Sequence, residues 1–205
     1  MEFIFPLLLG YAVGQGSRDK MFEELRRMFL ERIQHLAYFK APIPYGFFEK
    51  SPTGKIYLRE SLYAYLYGLP NASLILAFRA LIEGIKIKYK EVEGKPPSRK
   101  MNYTDLIEWA HNFLKEYKAL AHGFRVLRNW IEHEGGTVEE QDALEVFRHT
   151  CEILDKLHPP KINAIKVTCP NCGNEVLVYL PIYFGMQKSV RCDKCRREFP
   201  MTFLL

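Results

Sequence analysis

A chain of 205 residues has room for one full domain and a small module, which excludes the bulky multidomain enzymes. With 48% hydrophobic and 14% aromatic residues it holds enough apolar material for a core, which excludes wholesale disorder. The net charge of +5 permits a nucleic-acid partner without requiring one, so where the charge sits matters more than its sum.

Near the start, residues 3–13 (FIFPLLLGYAV) are apolar, contain Pro6 and Gly10, and lack the basic leader and small-residue cleavage site of a secretory signal. No run of 18 or more apolar residues occurs, so no conventional membrane span is expected. Residues 1–16 read as an arm docked on the body or on a partner subunit; peripheral membrane contact is the competing reading. From residue 17, Met21, Leu25, Met28, Phe29, Ile33 and Leu36 recur at three- and four-residue steps, which predicts a long amphipathic helix ending near Lys40. Residues 41–55 (APIPYGFFEKSPTGK) are rich in proline and glycine and predict an irregular excursion with a short hairpin, before a helical stretch over residues 58–67.

Pro70-Asn71 then opens a helix whose Leu74, Ile75, Phe78, Leu81, Ile82 and Ile85 form one apolar stripe, ended by Gly94-Lys95-Pro96-Pro97. Residues 103–117 and 119–133 predict two more helices, the second closed by Gly135-Gly136. A last helix over residues 137–157 carries the capping-box pattern Thr137-x-x-Glu140. Residues 17–160 thus read as a helical domain, and Pro159-Pro160 separates it from the C-terminal module.

Residues 161–205 have a different texture, with strands expected over residues 165–168, 175–179 and 199–204. Cys169 and Cys172, then Cys192 and Cys195, form two C-x2-C pairs with nineteen residues between them, the spacing of a four-cysteine zinc ribbon. One structural Zn2+ per chain is expected, because four thiolates fill a tetrahedral shell and leave no position for catalytic water. A module this small has too little core to fold without the ion, and losing the metal is expected to unravel it alone. Paired thiols of this kind point to a reducing compartment, hence a cytoplasmic protein; the fifth cysteine, Cys151, reads as a small buried residue. The module holds seven Lys and Arg against three Asp and Glu, which is +4 of the net +5. Lys188, Arg191, Arg196 and Arg197 are therefore the candidate RNA-binding residues, with Tyr179, Tyr183 and Phe184 available for stacking; a passive, soluble cap competes with that reading. The fold class is mainly α, a helical bundle followed by a small β module.

The most informative helix is residues 119–133 (ALAHGFRVLRNWIEH). At about 100° per residue, Leu120, Phe124, Leu127 and Ile131 fall on one stripe and His122, Val126, Asn129 and His133 on the opposite one. The apolar stripe is the core face, so His133 is not explained as a core histidine. Arg128-Asn129-Trp130-Ile131-Glu132-His133, on the penultimate helix before a Gly-Gly break, resembles the R-x4-6-H signature of the HEPN superfamily, and residues 71–83 (NASLILAFRALIE) are similar to its preceding core helix. The resemblance covers residues 70–157.

It implies a dimerising helical bundle and, in active members, a metal-independent endoribonuclease in a toxin, defence or stress context, with Arg128, Asn129 and His133 as the catalytic set. Cleaving RNA through its own 2′-hydroxyl requires a group that moves protons and a cation that stabilises phosphate charge, and His133 and Arg128 are those types. Arg128 lies about 140° around the helix from His133, so its long side chain must reach across, and a cleft at a two-fold interface would bring two copies of the segment together. The partners implied are RNA, a second copy of the chain, and an antitoxin or regulatory protein. The competing reading is a non-catalytic HEPN-like module that binds nucleic acid or protein.

Overall fold

The computed structural model describes residues 15–162 and 164–203. The apolar arm expected over residues 3–13 lies outside them. In chain order the helices are α1 (Gln15–Phe39), α2 (Tyr45–Lys50), α3 (Pro52–Leu66), α4 (Pro70–Glu93), α5 (Tyr103–Trp109), α6 (His111–Leu114), α7 (Lys118–Glu134) and α8 (Glu140–Leu157), with a 3-10 turn over Lys115–Tyr117 before α7. Two antiparallel hairpins complete the chain, β1 (Ala164–Thr168) with β2 (Glu175–Tyr179), and β3 (Gln187–Arg191) with β4 (Glu198–Thr202). The protein is mainly helical with a small β module at its C-terminal end.

The hub is α4, which packs against α3, α5, α7 and α8. Pro70 sits in its first turn, where a missing N–H leaves no bond unmade, and Gly94 closes it in the left-handed conformation at φ 70°. Leu74, Phe78, Leu81, Ile82 and Ile85 are buried as their spacing predicts, with Ile75 half-buried. Gly84 is what lets α8 approach: a Cβ there would lie 2.3 Å from Leu154 Cδ2.

Three local expectations need correction. Residues 41–55 are largely helical, because Pro52 occupies the first turn of α3 and Ser51 caps it by accepting the Gly54 N–H at 2.9 Å; here proline opens a helix instead of breaking one. The helix expected over residues 103–117 is interrupted, with Lys115 at φ 44° between α6 and the 3-10 turn. Thr137 does not cap α8: the N-cap is Glu139 with no side-chain bond, because the Glu140 carboxylate is engaged by Arg32 of α1 instead. A capping box forms elsewhere, at Asn102 and Asp105 of α5. The strand β3 carries no apolar alternation to predict it from, because QKSVR has a single apolar residue, the inward Val190.

The β module is not a separate body. Phe184, fully buried in the loop between the hairpins, packs edge-on against Phe147 of α8 with ring centroids 5.2 Å apart. Ile43 donates its N–H to Ile182 O at 3.0 Å, and Phe184 donates to Ala41 O at 2.9 Å. Gly185, at φ 73°, lies so close to α1 that a Cβ would meet Ile33 O at 2.9 Å. Leu36, Phe47, Leu62, Leu154, Val167, Val178 and Phe199 accordingly belong to one hydrophobic cluster that spans helices and hairpins.

Candidate metal centre and the outward face of helix α7

Each C-x2-C pair sits in the turn of one hairpin, and the two turns share a geometry. Cys169 donates its N–H to Asn174 O at 2.8 Å and accepts at its own carbonyl from Gly173 N–H at 2.9 Å; Cys192 donates to Arg197 O at 2.9 Å and accepts from Arg196 N–H at 2.8 Å. The residue four positions after the first cysteine is left-handed in both, Gly173 at φ 69° and Arg196 at φ 59°. This brings the four sulfurs within 4.8 Å of one another, with Cys169–Cys195 at 3.7 Å and Cys172–Cys192 at 3.6 Å. A metal–sulfur bond of about 2.3 Å in a tetrahedron requires sulfur separations of roughly 3.8 Å, so the cluster could hold a metal ion. Cys169 and Cys192 are buried and Cys172 and Cys195 half-buried. The backbone N–H of Cys195, joined by that of Lys194, pulls the Cys192 thiol down to about 6. Cys172 is pushed up to about 11 despite the favourable Asn174 N–H, because burial and the neighbouring sulfurs outweigh it. Cys151 is fully buried in α8, as its helical setting predicts, and burial raises its thiol well above the usual range.

Lys188, Arg191, Arg196 and Arg197 are all exposed, as is Lys194. Among the described residues the ion pair formed within the ribbon is Lys166–Glu175 at 2.7 Å, so these five cations are not closed in ion pairs, although Arg191 lies opposite Glu198 in the β3–β4 ladder. Of the three aromatics expected to stack, Tyr179 is 68% exposed. Tyr183 and Phe184 cannot stack on a ligand, because the first is half-buried in a bridge to Pro42 and the second is in the core. Their loop serves docking, a role that only tertiary contact reveals.

On α7, Ala121 and Phe124 are buried, and Leu120, Leu127 and Ile131 pack partly buried on the second hydrophobic cluster. The opposite stripe is covered only in part: Val126 is 55% exposed and His133 is exposed, while His122 and Asn129 are half-buried. His122 instead turns to Glu108 at 2.9 Å, where Lys118 and His122 together hold that carboxyl below its usual range. Arg128 pairs with Glu132 one turn on, donates from Nη1 to Asn129 Oδ1 at 3.0 Å and lies 5.7 Å from the centre of the Tyr103 ring. Arg128 and Asn129 are thus brought together, whereas among the described residues no hydrogen bond or ion pair joins His133 to either.

Two histidines that composition left without a role are held in polar networks. His149 lies with Nδ1 3.0 Å from Glu152 and Nε2 2.8 Å from Arg148, a cluster that the i, i+3 and i, i+4 spacing on α8 would have signalled. His158 is fully buried, stacked on Phe47 at 5.7 Å, with Nε2 2.9 Å from Gly84 O and Nδ1 facing Lys50 at 3.5 Å. Nothing local in the sequence places it there. No helix among the described residues is long and apolar enough to cross a membrane. No family model, curated protein or solved structure matches the chain.

Proposed function

We propose that this protein is a HEPN-type, metal-independent endoribonuclease, in which two copies of the α7 face form the cleavage site and the ribbon grips the RNA. The observation that carries the reading is His133, exposed and unpartnered among the described residues on a stripe that includes the 55%-exposed Val126. Packing within its own chain leaves Val126 and His133 of that stripe uncovered, and a second copy of the chain would cover them. In the proposed reaction a 2′-hydroxyl attacks the adjacent phosphorus, a P–O bond to the 2′ oxygen forms and the P–O5′ bond breaks. Water takes the proton that the 2′-hydroxyl loses, His133 supplies the proton that the departing 5′ oxygen takes up, Arg128 neutralises charge on the phosphate, and Asn129 orients Arg128 through their hydrogen bond. The metal cluster stands apart from this chemistry as a structural Zn2+ site, since Cys169, Cys172, Cys192 and Cys195 leave no open coordination position. Lys188, Arg191, Arg196 and Arg197 hold the RNA backbone. An antitoxin or regulatory protein and a peripheral membrane contact through the arm belong to the same reading, with a cytoplasmic location.

A second reading has its own observation: Arg128 is already closed on Glu132. In that reading the same face is a plain dimer interface and the protein binds RNA or a partner without cutting. One experiment separates them. Purified protein is incubated with single-stranded RNA in EDTA short of stripping its own metal. Cleavage to 2′,3′-cyclic phosphate ends, sparing DNA and lost in His133→Ala with an unchanged melting temperature, supports the nuclease. An uncut substrate, with a dimer that dissociates in His133→Ala, supports the interface.

A further inference from the structure

The two ribbon hairpins do not pair with each other: β1 and β2 form one two-stranded sheet, β3 and β4 another. A groove of about 480 Å³ lies between them, lined by all of β2, Glu175–Tyr179, and by residues 188–191 of β3. One face of a strand contributes only every second residue, so consecutive residues from both strands mean that the groove runs along their edges.

The register decides which backbone groups point into it. Cys169 N–H bonds Asn174 O at 2.8 Å and Cys192 N–H bonds Arg197 O at 2.9 Å, just beyond the ends of the two ladders. Alternation along an antiparallel ladder then makes Val167↔Val176 and Ile165↔Val178 the hydrogen-bonded pairs of the first hairpin, and Val190↔Phe199 and Lys188↔Met201 those of the second. Leu177, Tyr179, Ser189 and Arg191 fall in the other pairs, whose N–H and C=O groups point away from the hairpin partner and toward the groove. Two details agree. Pro200, which has no N–H to donate, sits opposite Ser189 where β4 points its backbone outward, and Phe203 N–H bonds Met186 O at 3.0 Å in the same alternation. No backbone hydrogen bond among the described residues joins β2 to β3.

We infer that this groove binds an extended, acidic polypeptide segment, which adds a strand between β2 and β3. The backbone selects a polypeptide, because only a strand offers alternating donors and acceptors to two facing edges. The side chains select an acidic one. Lys188 makes no ion pair and Arg191 has Glu198 opposite it on β4 without closing on it, Lys194, Arg196 and Arg197 extend the charge, and of the groove's two acids Glu175 is already held by Lys166, leaving Asp193. Leu177 and Tyr179, 52% and 68% exposed, give alternate side chains of the incoming strand an apolar surface. The inference stands on the ribbon alone and does not require that RNA be cleaved. It also gives the ribbon's cations a second ligand, so an acidic segment seated there would compete with RNA for Lys188 and Arg191.

The test uses the full-length, metal-loaded protein and a capped peptide of alternating Glu and Val, about eight residues long. Saturable binding should slow hydrogen exchange at the Leu177, Tyr179, Ser189 and Arg191 amides about tenfold or more, and a peptide N-methylated at alternate positions should not do so. Leu177→Pro, which removes an edge N–H, should weaken binding at least about tenfold with metal content unchanged, and the double variant K188E/R191E should do the same. Four results would each overturn the inference: protection of those amides without peptide; equal binding of the N-methylated peptide; no protection at millimolar peptide; or protection by oligouridylate but not by peptide, which would make the groove an RNA track.

Discussion

Phe184 of the ribbon and Phe147 of α8 meet edge-on with centroids 5.2 Å apart, both rings fully out of water. Each is an aromatic anchor whose burial is worth about 1.5–3 kcal/mol, so the metal site and the helical body hold each other in place.

Replacing Cys192 by Ser should therefore release the metal and destabilise the whole protein, not the ribbon alone. Without the ion the turn after β3 loses its pin, and Phe184, Ile182 and Phe199 lose the frame that presses them on α1, α2 and α8. A loss of about 3 kcal/mol corresponds to a melting temperature lower by roughly 6–12 °C in a chain of this size. Helical circular dichroism on heating, with elemental analysis for one metal per chain, checks it. An unchanged helical transition in a metal-free variant would mean that the shared core contributes little.

His158 gives the fold a pH dependence. Burial, reinforced by the nearby Lys50 and Lys88 and opposed by the Gly84 carbonyl and Glu91, lowers its affinity for a proton below that of a free imidazole. An unfolded chain then binds the proton more readily, so stability is complete above about pH 6.5 and is lost as pH falls through the lower folded value. The melting temperature should drop between pH 7 and pH 5. In His158→Gln the slope over that interval should flatten, and a slope identical to the parent would assign the effect to other groups.

Arg32 and Glu140 tie α1 to the start of α8. The guanidinium is largely buried, donates to Leu66 O at 3.1 Å and to the Glu140 carboxylate, and holds that carboxyl below its usual range. Glu140→Gln leaves a buried cation without its counter-charge. Because Glu140 is half exposed, the cost should be about 1–2 kcal/mol, below the 3–5 kcal/mol typical of a fully buried pair. The contribution of Glu140 is present above about pH 4.5 and fades as pH falls through its lower folded value. Urea titrations of parent and variant at pH 7 and pH 4 should differ at the first pH and converge toward the second.

The features legible in the sequence are those whose signal is local. Hydrophobic periodicity located α4, α7 and α8, because each turns one stripe to its neighbours whatever those neighbours are, and it located α1 as a helix although Leu25 of the expected stripe is 41% exposed. The cysteine spacing located the four-cysteine cluster, since two tight turns are all that it needs. The docking of the ribbon was illegible: Tyr183 and Phe184 read as exposed stacking groups, and only the packing of their loop on α1 and α8 buries them. Arg32 was illegible for the same reason, because its partner lies 108 positions away. Arg128 and His133 were found by motif, but Arg128's engagement with Glu132 and Tyr103 depends on side-chain placement that a motif does not encode.

That engagement yields the sharpest prediction on the α7 face. The side chains of this i, i+4 pair are only 17% and 21% exposed, so Glu132→Gln should cost about 1–2 kcal/mol, more than the few tenths of an exposed pair. It also frees a guanidinium that is otherwise occupied by a carboxylate. If Arg128 serves phosphate, the freed cation should bind single-stranded RNA about two- to fourfold more tightly, with a steeper salt dependence. Arg128→Ala should abolish that gain when combined with Glu132→Gln. Fluorescence anisotropy with a labelled oligouridylate, at two salt concentrations, measures all three proteins. Equal affinities across the set, alongside a dimer that weakens in Arg128→Ala, would assign Arg128 to the interface and leave RNA to the ribbon's Lys188, Arg191, Arg196 and Arg197.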